Sequence, residues 1–428
     1  MALTVSVQAL VAGSKSPLLA IRPHWSRVRL GDVAEVLNGF AFKSSQFSRD
    51  EGMPLIRIRD VGGDGSDTKY IGEYEDRYLV RAGDLLVGMD GDFNCARWRA
   101  APGLLNQRVC KVSVDPHVYE PRLLDYVLPA YLRAINDATS SVTVKHLSSR
   151  SIEDIPLPLP PLDEQCSIVA EIDKQYSRLD EAVANLQRVK ANLKRYKGAV
   201  LQSVTSGQLE TDGQDARDCG EPQGWRRLTI EELASREPRS IQSGPFGSNL
   251  LHSEFQASGK LVIGIDNVQD GAYSIGANHR ISESKFAELE KYRARPQDVL
   301  ITVMATVGRV CVLPENIEPA IITKHVYRIT VDRSIALPEY VGIALRGARD
   351  VRAQLLGSIQ GQTRPGLNGT LIKHIRVPIP PLAEQHRIVA EVDRRLSIVR
   401  EVEGEVEANL RRATRMRRSI LEMLISRS

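Results

Sequence analysis

The chain has 428 residues, of which 42% are apolar and 26% charged, and its formal net charge is +4. These are the proportions of an ordinary soluble protein with room for two to four cores, and no run of 18 apolar residues offers a membrane span. The five cysteines (Cys95, Cys110, Cys166, Cys219, Cys311) are odd in number and form no CxxC pair, which argues against a disulfide framework or a thiolate zinc site and for a reducing cytoplasm.

Residues 1–24 are mildly apolar, with no positive charge ahead of the apolar part. They read as a loose tail or a short added strand rather than a secretory signal. From Trp25 the pattern becomes short apolar alternations broken by Gly, Pro and Asp. LIRIRDV, DLLVGM and RVCKVSV read as strands, and RLLDYVLPAYLRAIND as a helix. The segment LPLPPLDEQCSIVAEID follows at 157–173 and leads into apolar residues spaced three and four apart, from Ile168 to Val204. GQLETDGQDARDCGEPQG, rich in Gly and acids, reads as a linker. The same order then repeats. Trp225 opens WRRLTIEELASR; LVIGIDNV, DVLITVM and HVYRITV are strand-like; EYVGIALRGARDVRAQLL is helical. VPIPPLAEQHRIVAEVD at 377–393 matches the first block at eleven of seventeen positions and leads into a second apolar ladder, Ile388 to Leu424. An offset of 220 residues is far beyond a solenoid period of roughly 20–50 and marks duplication of a whole domain with its helix.

The expected architecture is α+β. Two mixed, strand-dominated domains (25–155 and 225–375) alternate with helical regions (156–207 and 376–428), with a linker at 208–224. Each ladder is a coiled-coil seam of about 40 residues, roughly 60 Å of helix. Charge sets the predicted orientation. Residues 163–186 carry six acids and two bases, and 187–206 carry five bases and no acid. Residues 383–407 carry seven acids and four bases, and 408–428 six bases and one acid. Antiparallel pairing puts each acidic half beside a basic half. Exposed pairs contribute only ~0.2–1 kcal/mol each, so they choose orientation rather than supply stability. The same gradients also complement each helix's own dipole.

The doubled PLPPLxEQxxIVAEID block, each time after a variable mixed domain and before a long helix, resembles the specificity subunit of type I restriction–modification enzymes over about residues 25–428. The resemblance implies a non-catalytic subunit with two target-recognition domains. Each would read one half of a bipartite duplex DNA target, and two unlike domains imply an asymmetric one. The helical regions would set the gap and dock two adenine methyltransferase subunits, to which motor–endonuclease subunits add. Leu162, Glu164, Gln165, Leu382, Glu384 and Gln385 are the docking candidates it implies. No cofactor is expected in this chain; S-adenosylmethionine, ATP and Mg would sit on the partner subunits. Two other readings stay open: a coiled-coil scaffold, and a DNA-binding subunit of another methyltransferase-based phage-defence system.

No GxxxxGK[ST] loop, no HExxH and no Asn/Asp-Pro-Pro-aromatic loop occurs, since both PP pairs are followed by leucine. Cys110 and Cys311 fall on strand patterns and read as small core residues. Base edges are read by Arg, Lys, Asn and Gln, whereas phosphates accept many basic and polar groups. In the first copy the candidates are Lys43, Ser44, Arg57, Arg59, Asn94, Arg97, Arg99, Gln107, Arg108 and Lys145. In the second they are Ser243, Ser248, Asn249, Arg309, Lys324, His325 and Arg364. Arg57 and Arg59 alternate with apolar neighbours and are expected on one face of a strand. Aromatic content of 5% argues against a single-strand stacking platform.

Overall fold

A computed structural model describes residues 6–426 except 15, 21, 139–144, 208–222, 277 and 358–366. The expected linker lies almost wholly outside the described residues. The chain divides into two compact units, Met1–Leu186 with Ala408–Ser428, and Gln187–Glu407. Each unit therefore holds one mixed globular part and a portion of each long helix.

The globular parts share one plan. In the first unit a four-stranded sheet runs Ala34–Asn38, Val109–Val114, Leu85–Gly88, Cys95–Arg97; the second unit repeats it as Ile241–Ser243, Val326–Ile329, Val299–Thr302, Val310–Val312. A second sheet is built around a parallel pair, Met53–Ile56 with Gly103–Leu105 in one unit and Lys260–Ile263 with Ala320–Ile322 in the other. The expected strands are present, with one correction. LIRIRDV stops being a strand at Ile56, and Ile58–Asp60 is a 3-10 turn. The Asp60 carboxylate accepts the Arg57 N–H at 2.9 Å and ends the strand there. The second unit makes the same stop, with Asn267 Oδ1 accepting the Gly264 N–H at 2.9 Å.

The N-terminal reading also needs correcting. Val7–Gly13 is a short helix capped by the Ser6 hydroxyl, and Val7, Val11 and Leu19 are buried in the core of the first unit. Cys110 and Cys311 are core residues, and burial pushes both thiols up to about 12.

The duplicated ends of each copy form a clasp. Ser26–Arg29 pairs antiparallel with Pro156–Leu159, and Arg226–Thr229 with Arg376–Ile379 in the matching register. Prolines sit on these strands because a two-stranded ribbon leaves one edge of N–H positions free. The two long helices start immediately after the proline pairs, at Leu162–Thr205 and Leu382–Ser426. A PP pair fits the entry to a helix, whose first N–H groups lack intrahelical partners.

Helix pairing is antiparallel within each unit. In the first, Ile425 shares a core with Ile168 and Ile172, while Tyr176 Oη donates to the Arg417 carbonyl at 3.1 Å and Asp180 pairs with Arg417. In the second, Val200, Leu201 and Val204 share a core with Ile388, Val392 and Leu396. There Lys197 pairs with Glu403 at 2.6 Å, and Lys190 with Glu407. Basic and acidic stretches therefore meet as the charge pattern requires.

Gly198 and Gly404 lie inside these helices, and a Cβ built on either meets nothing within 4 Å. With open space and helical backbone, alanine removes an entropic cost of about 0.5–1 kcal/mol per site. Gly198→Ala and Gly404→Ala are expected to raise the unfolding temperature of the full chain by roughly 1–4 °C each. A scanning-calorimetry shift of zero or below at both sites would refute this.

Candidate nucleic-acid interface

In the first unit three segments far apart in sequence meet at one end of the four-stranded sheet. The turn after Leu85–Gly88 brings Met89–Asn94, the turn between the sheets brings Asn106–Arg108, and the chain returns at Lys145–Leu147. Met89 N–H donates to the Arg108 carbonyl at 2.8 Å, and Leu147 N–H to the Met89 carbonyl at 2.7 Å. The Asn106 N–H bonds to the Ile56 carbonyl at 3.2 Å, which places the Arg57–Asp60 turn beside them. Gly39 lets the chain pass directly over the Asn106 turn, with Phe40 N–H on the Leu105 carbonyl and Gln107 N–H on the Phe40 carbonyl, both at 2.9 Å.

This edge gathers Asn94, Gln107 and Arg108, all exposed, with Arg57 and Arg59 on the adjoining turn. Arg108 is held in the left-handed region at φ 72°, a costly state for a residue with a Cβ. Its guanidinium lies 3.1 Å from His146 Nδ1 and 3.6 Å from the Asp90 carboxylate, and His146 is 2.6 Å from that same carboxylate. Lys145 donates to Asn136 Oδ1 at 2.7 Å and to its carbonyl at 2.8 Å, so its ammonium braces the return segment. Lys43 and Ser44 are exposed on the stretch following the buried Phe42.

Arg57 and Arg59 line a cleft with Arg49 and Lys69, which sequence reasoning missed, and with one acid, Asp67. The Arg57 Nε is buried and has no hydrogen-bond partner in the described structure. Nothing local in FSRDEG or DTKY marks Arg49 or Lys69; sheet pairing alone brings them there.

Arg97 and Arg99 depart from the group. Arg97 pairs with Leu85, at the far end of the hairpin from Asn94. Its guanidinium is engaged by Asp125 at 2.6 Å and by the Gly83 and Pro121 carbonyls. Arg97 thus ties the sheet to the helix Pro121–Ala138. Arg99 lines that same side with Arg122.

The second unit rebuilds the edge with other side chains. Val303 N–H donates to the His325 carbonyl at 3.0 Å, Leu367 N–H to the Val303 carbonyl at 3.1 Å, and Thr323 N–H to the Ile263 carbonyl at 2.9 Å. His325 therefore occupies the place of Arg108, Lys324 that of Gln107, and Thr323 that of Asn106. Lys324 is exposed; His325 is half-buried, and burial first, then the Lys324 charge, lowers its imidazole pKa. Arg309 donates to Gln269 Oε1 at 3.3 Å. Ser243 pairs with Tyr327 at the start of this edge, and Asn249 is exposed on the turn Gly247–Asn249. Arg364 and the side chain of Ser248 lie outside the described residues.

The docking candidates divide. Gln165 and Gln385 are fully buried, 0% exposed, and cannot present a docking face. Each instead clamps its helix to its own domain. Gln165 Nε2 donates to the Pro160 carbonyl at 2.9 Å and the Val118 carbonyl at 3.2 Å, while its Oε1 accepts the Glu120 N–H at 2.8 Å. Gln385 does the same with Pro380 at 2.9 Å, Ile335 at 3.2 Å and Leu337 at 2.8 Å. Glu164 accepts from Trp25 Nε1 at 3.1 Å and Arg22 at 3.2 Å. Glu384 pairs with Arg387 at 2.9 Å. Leu162 and Leu382 are both 37% exposed.

No described helix is long and apolar enough to cross a membrane. The family model described as the type I restriction modification DNA specificity domain matches residues 23–191 and 250–407. Over 419 residues the chain is 35% identical to the type I restriction enzyme EcoBI specificity subunit of Escherichia coli, covering 96% of this chain and 88% of that one. It is 21% identical over 400 residues to the MjaVIII specificity subunit of Methanocaldococcus jannaschii, covering 91% of each. A chain solved in work on assembly and conformational transition of the type I R-M system has the same fold, with TM-score 0.66 at 19% identity over 94% of this chain and 98% of that one. The chain belongs to the family of type I restriction–modification specificity subunits, non-catalytic members of their enzymes, and carries its DNA specificity domain twice.

Proposed function

We propose that the chain reads an asymmetric bipartite duplex DNA target, one half-site per unit, through the edges at Asn106–Arg108 and Thr323–His325. The observation that carries this is a shared backbone frame bearing different side chains. The same hydrogen bonds hold Arg108 in one unit and His325 in the other. Arginine pairs bidentately with guanine O6 and N7 in the major groove, which a histidine at the same place does not reproduce. The Arg49, Arg57, Arg59 and Lys69 cleft supplies phosphate contacts, which position without specifying. The helical regions set the gap and dock two adenine methyltransferase subunits, with Leu162 and Leu382 as matching apolar contacts, and motor–endonuclease subunits join that complex. S-adenosylmethionine, ATP and Mg belong to those partners. The compartment is the cytoplasm.

The test is a methyladenine map of DNA from cells supplied with the cognate methyltransferase, with and without this chain. A bipartite motif is expected only when the chain is present. Arg108→Ala is expected to relax one base pair of one half-site by about 1–3 kcal/mol and leave the other half-site intact. A map unchanged by the chain, or an Arg108→Ala map identical to wild type, defeats the respective part of the reading.

A further inference from the structure

The second unit carries a strongly basic cleft. It is lined by Arg239, Lys291, Arg293, Arg295 and Arg328, with Glu290 the only acid on its wall. Arg328 is its buried member, 2% exposed, and its Nε has no hydrogen-bond partner in the described structure. The remaining Arg328 contacts are Thr330 Oγ1 at 3.0 Å and Asp298 Oδ2 at 3.6 Å. Glu290 pairs with Arg293 at 3.1 Å and Glu237 with Arg295. Among the described residues no carboxylate pairs with Arg239 or Lys291. Counting Glu237 and Asp298 as well as Glu290, five cations face three acids, and the cleft keeps an excess of positive charge.

Internal duplication supplies the comparison. Asp84 accepts the Arg81 N–H and pairs with Lys111 in the first unit, as Asp298 accepts the Arg295 N–H and pairs with Arg328 in the second. Arg77 lies over the Tyr78 ring as Lys291 lies over that of Tyr292. On this shared frame the second unit has gained positive charge. Leu79, paired with Leu104, stands where Arg293 pairs with Ile321. Lys111 has become Arg328, exchanging a point charge for a planar fork. Between the residues paired to Val114 and Val112 the first unit has only Glu35. Between those paired to Val331 and Ile329 the second has Ser235–Ser240. That insertion carries Arg239, held at φ 62°. A cation replaces an apolar residue, a fork replaces an ammonium, and a basic loop replaces an acid.

We infer that this cleft of the second unit binds a phosphate group, with Arg328 as its floor and Arg239, Lys291 and Arg293 around it. Guanidinium forks match phosphate oxygens bidentately and desolvate at lower cost than ammonium groups. The site lies at the Val299↔Ile329 end of the strand pair, whereas the reading edge lies at the Thr302↔Val326 end. About 10 Å of strand therefore separates them. The phosphate is either part of a DNA backbone beyond the bases read or a separate phosphoryl ligand, and two arms of one experiment tell these apart.

The first arm titrates pyrophosphate into the full chain by calorimetry at fixed ionic strength. The second measures the salt dependence of duplex binding. Both use wild type and Arg239→Ala/Lys291→Ala, two exposed positions chosen to leave the fold intact, with circular dichroism to verify it. Saturable pyrophosphate binding, weakened at least tenfold in the variant with an unchanged salt slope, identifies a separate phosphoryl ligand. A slope of log K against log salt that falls by about 0.9 per lost contact identifies a backbone phosphate. Wild-type behaviour of the variant in both arms overturns the inference. Should wild type bind no duplex, the DNA reading fails while the pyrophosphate arm still decides this site.

Discussion

Replacing Gln165 by leucine should lower the unfolding temperature of the first unit by roughly 10 °C, and Gln385→Leu should do the same to the second. The leucine is close in volume and apolar, so the loss is not one of packing. It is a loss of partners for one buried and two part-buried backbone groups: the Pro160 carbonyl, and the Val118 carbonyl and Glu120 N–H. A buried polar group left unsatisfied costs ~1–3 kcal/mol and a part-buried one less, so the three together amount to about 3 kcal/mol. For a unit of this size each kcal/mol moves the midpoint by about 2–4 °C. Gln165→Glu tests the chemistry separately, since a carboxylate can still accept from Glu120 but cannot donate to two carbonyls. It should destabilise at neutral pH and recover partly in acid, where the protonated group regains one donor. Thermal unfolding followed through Trp25, whose indole is bonded to the neighbouring Glu164, reports on this joint. A midpoint within 2 °C of wild type for Gln165→Leu would rule out the clamp. Gln385→Leu, with the same three contacts on a diverged domain, serves as an internal replicate.

The clamp also shows how far the sequence was legible. Duplication, the strand segments, the start of each helix at its proline pair and antiparallel charge matching could all be read, because each rests on local spacing or summed charge. The family resemblance implies Gln165 as a docking candidate, and a shared motif does not by itself tell a buried side chain from an exposed one. The signal against this was periodic: Gln165, Ile168 and Ile172 lie at i, i+3 and i+7, as do Gln385, Ile388 and Val392, so the glutamine belongs to the buried stripe. Arg57 and Arg59 looked like alternating strand positions. The Asp60 carboxylate overrode that pattern, and an acid three residues after Arg57 was the available warning. Val7 and Val11 behind Ser6 carried a helix start that 24 mildly apolar residues concealed. The Asp90, Arg108 and His146 group could not be read at all, because only sheet topology joins three segments so far apart.

The other large effect expected is at Gly39 and Gly244. Neither needs glycine for a positive φ; each needs it for closeness. A Cβ on Gly39 would lie 2.0 Å from the Asn106 carbonyl oxygen, and one on Gly244 2.1 Å from that of Ile322. Both obstacles are backbone, so no side chain can rotate away. Gly39→Ala must lift its strand end from the Asn106 turn and strain the three bonds that join them, from Gly39, Phe40 and Gln107. The turn so displaced is the one that presents Gln107 and Arg108. Methylation dependent on the first half-site should therefore fall at least tenfold, while the second unit keeps its native unfolding transition. Gly244→Ala should spare the first unit and disable the second. Because the clash is with backbone, the two losses should be alike although the half-sites differ. The same substitution at Gly198, where nothing lies within 4 Å, should stabilise instead. A single chemical change with opposite signs at two places separates close approach from any general effect of adding a methyl group. Wild-type methylation by Gly39→Ala would mean that the turn at Asn106 does not form part of the reading surface.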